Sequence, residues 1–230
     1  MSDRYFVETP IAAEQVELSG TEAHHLTHVM RADVGDGMVL FDGRGAEFVG
    51  EIARLSKRGV TITIRQKLVI DREVTRPIIL AVAMPKGDRQ KWLVEKATEM
   101  GVTTLVPLLT QRAVAQPVEN ALARLRRSVV EASKQCGRNR LMEIAEPEKW
   151  QDFVKAVPCD ARRWVAHPGG ANVDRHSPVQ TATYIAIGPE GGFTDDEVAA
   201  AVAAGWTCVD LGPRILRVET AALLLSAWAL

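Results

Sequence analysis

Over the first seventy or so positions, apolar residues come in short runs that read as short β-strands. Four such runs stand out: Tyr5 to Val7, Met38 to Phe41, Ala46 to Leu55 and Val60 to Leu68. Glycine-bearing turns, Val34-Gly35-Asp36-Gly37 and Asp42-Gly43-Arg44-Gly45, separate them, and the pattern predicts a small barrel. One helix interrupts it. Ser19 with Glu22 three residues on reads as a capping box ahead of Ala23, Leu26, Val29 and Met30 at helical spacing. The stretch from Val69 to Pro77 is charged, unpatterned and closed by proline, as a linker is. The expected division is therefore a β domain over 1–70 and a second domain over 77–230.

Beyond the linker the period changes. Ile78 to Met84 and Val102 to Leu109 are continuous apolar runs, as strands covered on both faces are, and Trp164 to Ala166, Tyr184 to Ile187 and Cys208 to Leu211 are shorter ones. Between them lie helical patterns over Gly87 to Met100, Val118 to Cys136, Asp195 to Ala204 and Val218 to Leu230, the third opened by Thr194 and Glu197 as a capping box. Strand and helix alternate, so a largely parallel α/β sheet is expected.

The composition, 47% hydrophobic and 25% charged, is that of an ordinary globule and excludes a disordered or fibrous chain. No run of eighteen apolar residues is present, so no membrane helix is expected. The segment MSDRYFVETP lacks a secretory pattern, which makes the cytoplasm the expected compartment. Three cysteines, Cys136, Cys159 and Cys208, fit neither a disulfide frame nor a zinc ribbon. The formal charge of −1 announces no global affinity for nucleic acid, but Arg112 to Arg140 carries seven basic residues against two acidic ones. That stretch reads as a solvated helix face or as a phosphate contact. The first seventy-five residues carry nine basic and twelve acidic residues, so any RNA face there must be local.

Three glycine-rich segments are candidates for chemistry. Asp42-Gly43-Arg44-Gly45 sits between strands with no helix after it and reads as a hairpin turn. No Walker-type loop occurs, and the first turn after the linker, Pro85-Lys86-Gly87-Asp88, has one glycine, which disfavours a nucleotide-phosphate cradle. Ile187-Gly188-Pro189-Glu190-Gly191-Gly192-Phe193 lies between a buried strand and a capped helix, at a strand's carboxyl end, where open α/β sheets bind ligands. Leu211-Gly212-Pro213-Arg214-Ile215-Leu216 repeats that arrangement before the last helix. Two such loops can form two walls of one pocket, and backbone groups with aliphatic Ile215 and Leu216 suit an adenine and a thioether better than a triphosphate.

These loops, with Leu211 to Ala221, Glu95 to Gly101, Glu131 to Cys136 and His24-His25-Leu26 through Val29-Met30-Arg31, strongly resemble the RsmE-type 16S ribosomal RNA uridine N3-methyltransferases. The resemblance implies a SPOUT-type parallel sheet whose C-terminal segment threads a trefoil knot, preceded by a small PUA-like β-barrel domain, in a homodimer. It implies S-adenosyl-L-methionine held by Gly188, Pro189, Glu190, Gly191 and Gly192 on one side and Leu211, Gly212, Ile215 and Leu216 on the other. His167, in His167-Pro168-Gly169, corresponds to a third wall, and Thr220 either caps the last helix or bonds a ligand. Small-subunit ribosomal RNA, assembled or assembling, is the implied partner. Arg4, Arg31, Arg112, Arg138 and Arg140 are then the candidates for its phosphates.

Methylating uridine N3 removes a proton from a weakly acidic imide, and an arginine can hold the resulting charge without exchanging a proton itself. Arg217 is the catalytic candidate; its other reading is a salt bridge with Glu219 or Glu190. Glu190 has two readings, proton acceptor or loop anchor. His24 and His28 share a helix face, but no third ligand type stands near them, so no metal is expected. Two rivals remain: a methyltransferase for another rRNA or tRNA position, and a non-catalytic RNA-binding or ribosome-assembly module.

Overall fold

The computed structural model describes residues 4–56, 59–113, 119–172 and 181–230. By backbone contact the chain divides into two units, Met1–Glu73 with Ser133–Leu141, and Val74–Ala132 with Met142–Leu230.

The first unit contains β1 (Arg4–Phe6), β2 (Gln15–Leu18), α1 (Gly20–His24), β3 (Gly37–Phe41), β4 (Glu47–Ser56) and β5 (Gly59–Leu68). Its five strands run in the order β1-β3-β4-β5-β2, antiparallel except for β1 beside β3. No β1–β2 pairing closes the ring among the described residues, so the expected barrel is a half-barrel and not a closed one. The inward positions, among them Tyr5, Leu18, Leu40, Ile52 and Ile62, form its core. β2 was not legible as a strand; it is four residues long and pairs with β5 alone.

Two expectations fail here. Ser19 is the N-cap of α1 but its side chain makes no capping bond; Gly20 after it stands at φ of 61°, and the Glu22 carboxylate is turned to Lys134 Nζ at 2.8 Å. The helix also does not continue as an α-helix: His25–Val29 is π-helical, and it ends at Arg31 with φ of 55°.

A buried ion network joins Ser133–Leu141 to the rest of this unit. Glu47 takes Arg4 at 2.6 Å and Arg72 at 3.2 Å, Arg138 pairs with Glu73, and Asn139 accepts from Arg4 at 2.8 Å and donates to the Ile70 carbonyl at 3.0 Å.

The second unit alternates strands and helices: β6 (Ile78–Val82), α2 (Arg89–Glu99), β7 (Thr104–Leu109), α3 (Glu119–Cys136), β8 (Glu143–Ile144), β9 (Glu148–Lys149), α4 (Trp150–Ala156), β10 (Arg162–Ala171), β11 (Thr183–Ile187), α5 (Asp195–Ala203), β12 (Thr207–Val209) and α6 (Val218–Trp228). The end of α3 is counted with the first unit. Val118, expected to open that helix, lies outside the described residues. The sheet order is β12-β10-β11-β6-β7-β8, and every one of these pairings is parallel. Its central strands are buried on both faces, which explains their unbroken apolar runs. Trp150, Phe153, Phe193 and Trp206 pack as one aromatic cluster, with the indole N–H groups of both tryptophans donating to backbone carbonyls.

Candidate active site

β11, β10 and β12 lie side by side, and the connections leaving the carboxyl ends of β11 and β12, with the distal half of β10, line one cavity of about 340 Å³. That volume falls in the range of small-molecule sites, roughly 300–1,000 Å³. The first wall begins where β11 meets Gly188-Pro189, because proline has no N–H to extend the ladder. The Pro189 carbonyl accepts the Gly192 N–H at 2.8 Å, a tight turn, and α5 follows with Thr194 and Glu197 forming the expected capping box. The second wall runs from Asp210 to Leu216, and α6 begins behind it. Gly192 and Gly212 adopt φ of 69° and 101°, the left-handed region that a side chain resists. The third wall is His167 and Pro168, within β10.

The floor is aliphatic, with Ile187, Val209, Leu216 and Val218, and the polar groups on the lining side chains belong to His167, Glu190, Asp210 and Arg214. Arg214 is exposed, and Ile215 beside it is 99% exposed. Beneath the second wall, burial pushes the Cys208 thiol above its ordinary range. Two arginines from other elements hold the glycine loop. Arg89, the first residue of α2, donates to Glu190 Oε1 at 2.9 Å, and its other terminal nitrogen lies 3.6 Å from buried Glu219. Arg112, past the end of β7, donates to the Gly191 carbonyl at 2.8 Å and to that of Phe193 at 3.3 Å.

A family model described as an RNA methyltransferase domain matches residues 72–230, and one described as an RNA methyltransferase PUA domain matches 18–65. A protein of Synechocystis named ribosomal RNA small subunit methyltransferase E is 34% identical over 90% of this chain and 69% of its own. The chain belongs to the RsmE family. A member from Bacillus subtilis is 28% identical over 96% of this chain and 93% of its own. Among solved structures, a Legionella pneumophila methyltransferase described with bound cofactor SAM is 31% identical, with TM-score 0.90 over 99% of this chain and 96% of that one. The family's Neisseria gonorrhoeae enzyme, described as bound to S-adenosyl methionine, is 27% identical, with TM-score 0.91 over 99% and 96%.

Within this RsmE-family chain the cavity gathers most of the residues singled out from the sequence. His167, Gly188, Pro189, Glu190, Gly192, Leu211, Gly212, Ile215 and Leu216 all line it. Gly191 and Thr220 do not; Gly191 presents its carbonyl to Arg112, and Thr220 is exposed inside α6. Thr220 is not a cap either, because the N-cap position is filled by Arg217. Arg217 is exposed beside lining residues Leu216 and Val218, and Glu190 and Glu219, its expected alternative partners, pair with Arg89 instead.

The five candidate phosphate-binding arginines divide by environment. Arg138 is 3% exposed and engaged by Glu73, and Arg4 is engaged by Glu47 and Asn139, so neither guanidinium is presented to a phosphate. Arg112 is occupied by the glycine loop, while Arg31 and Arg140 are exposed. Arg4 and Arg138 are both drawn inward by acids distant in sequence. Two site residues escaped sequence reading. Asp210 carried a faint signal, an Asp two residues before a glycine at a strand end, as in Asx turns; Arg89 carried none.

Proposed function

We propose that this protein transfers a methyl group from S-adenosylmethionine to N3 of a uridine in 16S ribosomal RNA, in the cytoplasm, on a nascent or complete small subunit. The observation that carries the reading is the single cavity lined jointly by the Gly188 to Gly192 loop, the Leu211 to Leu216 loop and His167. Its aliphatic floor and backbone-rich walls fit an adenine and a thioether, and Arg214 as its one basic lining side chain apart from His167 fits poorly with a polyphosphate. The family's names and the two ligand-bound relatives support the same donor and the same class of RNA. We further infer a C-terminal trefoil knot, a PUA-like RNA-binding domain over 1–70, a methyltransferase domain over 77–230, and a homodimer, all carried by the family resemblance.

The donor, when bound, supplies an electrophilic methyl on a sulfonium. The chain's own contribution is placement and charge. The three walls would hold the donor at the strand ends, which would turn an encounter into a positioned reaction. Arg217, the N-cap of α6 between lining residues Leu216 and Val218, would stabilise negative charge on the uracil imide without giving up a proton. The ion pair with Arg89 supports Glu190 as the loop's anchor over its reading as the base.

Titrating S-adenosylmethionine into the purified protein tests this. Saturable binding is expected, and Arg217→Ala should keep that affinity while turnover on small subunits falls about a hundredfold or more. A protein that binds RNA but no donor would be a non-catalytic module. Equal loss of donor affinity and turnover in Arg217→Ala would move Arg217 into the donor pocket.

A further inference from the structure

One carboxylate serves two walls of the cavity. Asp210 Oδ2 accepts the Gly169 N–H at 2.9 Å, and Oδ1 accepts the Gly212 N–H at 2.7 Å. Gly169 follows His167 and Pro168 of the third wall, and Gly212 belongs to the second. The bond across the walls falls where the ladder fails. β10 pairs with β12 up to Ala166 and Val209, and the register then breaks until Ala171, so the lining stretch has no strand partner. Asp210 stands at that break, with its own N–H on the Ala171 carbonyl at 3.2 Å. An ionised carboxylate is acceptor-only, and its bonds to N–H groups are of the stronger, charge-assisted kind.

We propose that Asp210 is a positioning residue that sets the spacing of the second and third walls, and through it the affinity for the whole adenosyl ligand. The proposal rests on the methyl-donor reading above. It differs from a role in which the carboxylate attracts the sulfonium, because both oxygens already face backbone donors. A charge role favours the cationic donor over its neutral product; a spacing role treats the two alike.

The test is calorimetric titration of S-adenosylmethionine and S-adenosylhomocysteine into the full-length wild type, Asp210→Asn and Asp210→Ala, with thermal midpoints recorded. Asp210→Ala should weaken both ligands by the same factor, roughly tenfold or more, the size of a lost charge-assisted bond. Asp210→Asn keeps one acceptor oxygen and should weaken both by a smaller common factor. Both should occur with the thermal midpoint nearly unmoved. Loss for the sulfonium compound alone would overturn the proposal in favour of charge, as would unchanged affinity for both ligands in either variant, or a loss that merely tracks a falling midpoint. If Asp210→Ala does not fold, Asp210→Asn decides by the same comparison. Wild-type protein that binds neither compound would instead overturn the methyl-donor reading beneath it.

Discussion

Glu47 is a carboxylate with two arginines on it. Burial pushes its pKa up, but hydrogen bonds and charge from Arg4 and Arg72 outweigh burial and hold it below the usual 4.5. A depressed carboxylate stabilises the folded state above its unfolded pKa, and that contribution disappears as pH falls through the folded value. Glu47→Gln should therefore cost about 2–3 kcal/mol near pH 7 and progressively less in acid, read by urea unfolding at both pH values. An equal cost at neutral and acid pH would refute the charge argument. Thiol reactivity gives a second check at this scale. Cys159 is exposed whereas burial raises the Cys208 thiol, so a thiol reagent at pH 8 should label Cys159 far ahead of Cys208; matching rates would contradict the burial seen here.

Among elements, two copies of one motif had opposite fates. Thr194 with Glu197 makes both reciprocal bonds of a capping box, and buried Glu197 also accepts the Gln111 N–H at 2.8 Å. Ser19 with Glu22 makes neither: Gly20 after the serine stands at φ of 61°, and Lys134, more than a hundred residues away, takes the carboxylate. A box is legible from sequence only while no tertiary partner outbids its acid. Thr194→Ala should destabilise the fold by about 1 kcal/mol in chemical unfolding, and Ser19→Ala by a few tenths at most. The same limit explains α4. Trp150, Phe153, Val154 and Val157 are buried and spaced as one helix face, so the signal was present, but seven residues of modest helix formers do not announce a helix alone. The glycine loops were legible for the opposite reason, since Gly192 and Gly212 stand at positive φ and a side chain at Gly188 would press on the neighbouring Phe193.

For the whole molecule, the alternation of strand and helix foretold a parallel sheet but not its order. That β10 lies between β11 and β12, so that His167 joins both glycine loops, depends on pairings between segments far apart in the chain. Nor did any pattern assign Ser133–Leu141 to the first unit. Its basic residues read as a surface for RNA, yet Arg138 is buried against Glu73, sixty-five residues away. Arg138→Ala removes the buried partner of the half-buried Glu73 and should destabilise the fold by about 2 kcal/mol while leaving donor affinity unchanged. A variant of normal stability with weakened RNA binding would instead place Arg138 on the RNA face. The most direct trial of the central claim is mass spectrometry of nucleosides from 16S ribosomal RNA of cells lacking this protein. The expected result is loss of N3-methyluridine, restored by the wild type and not by Arg217→Ala; N3-methyluridine undiminished in its absence would contradict the account.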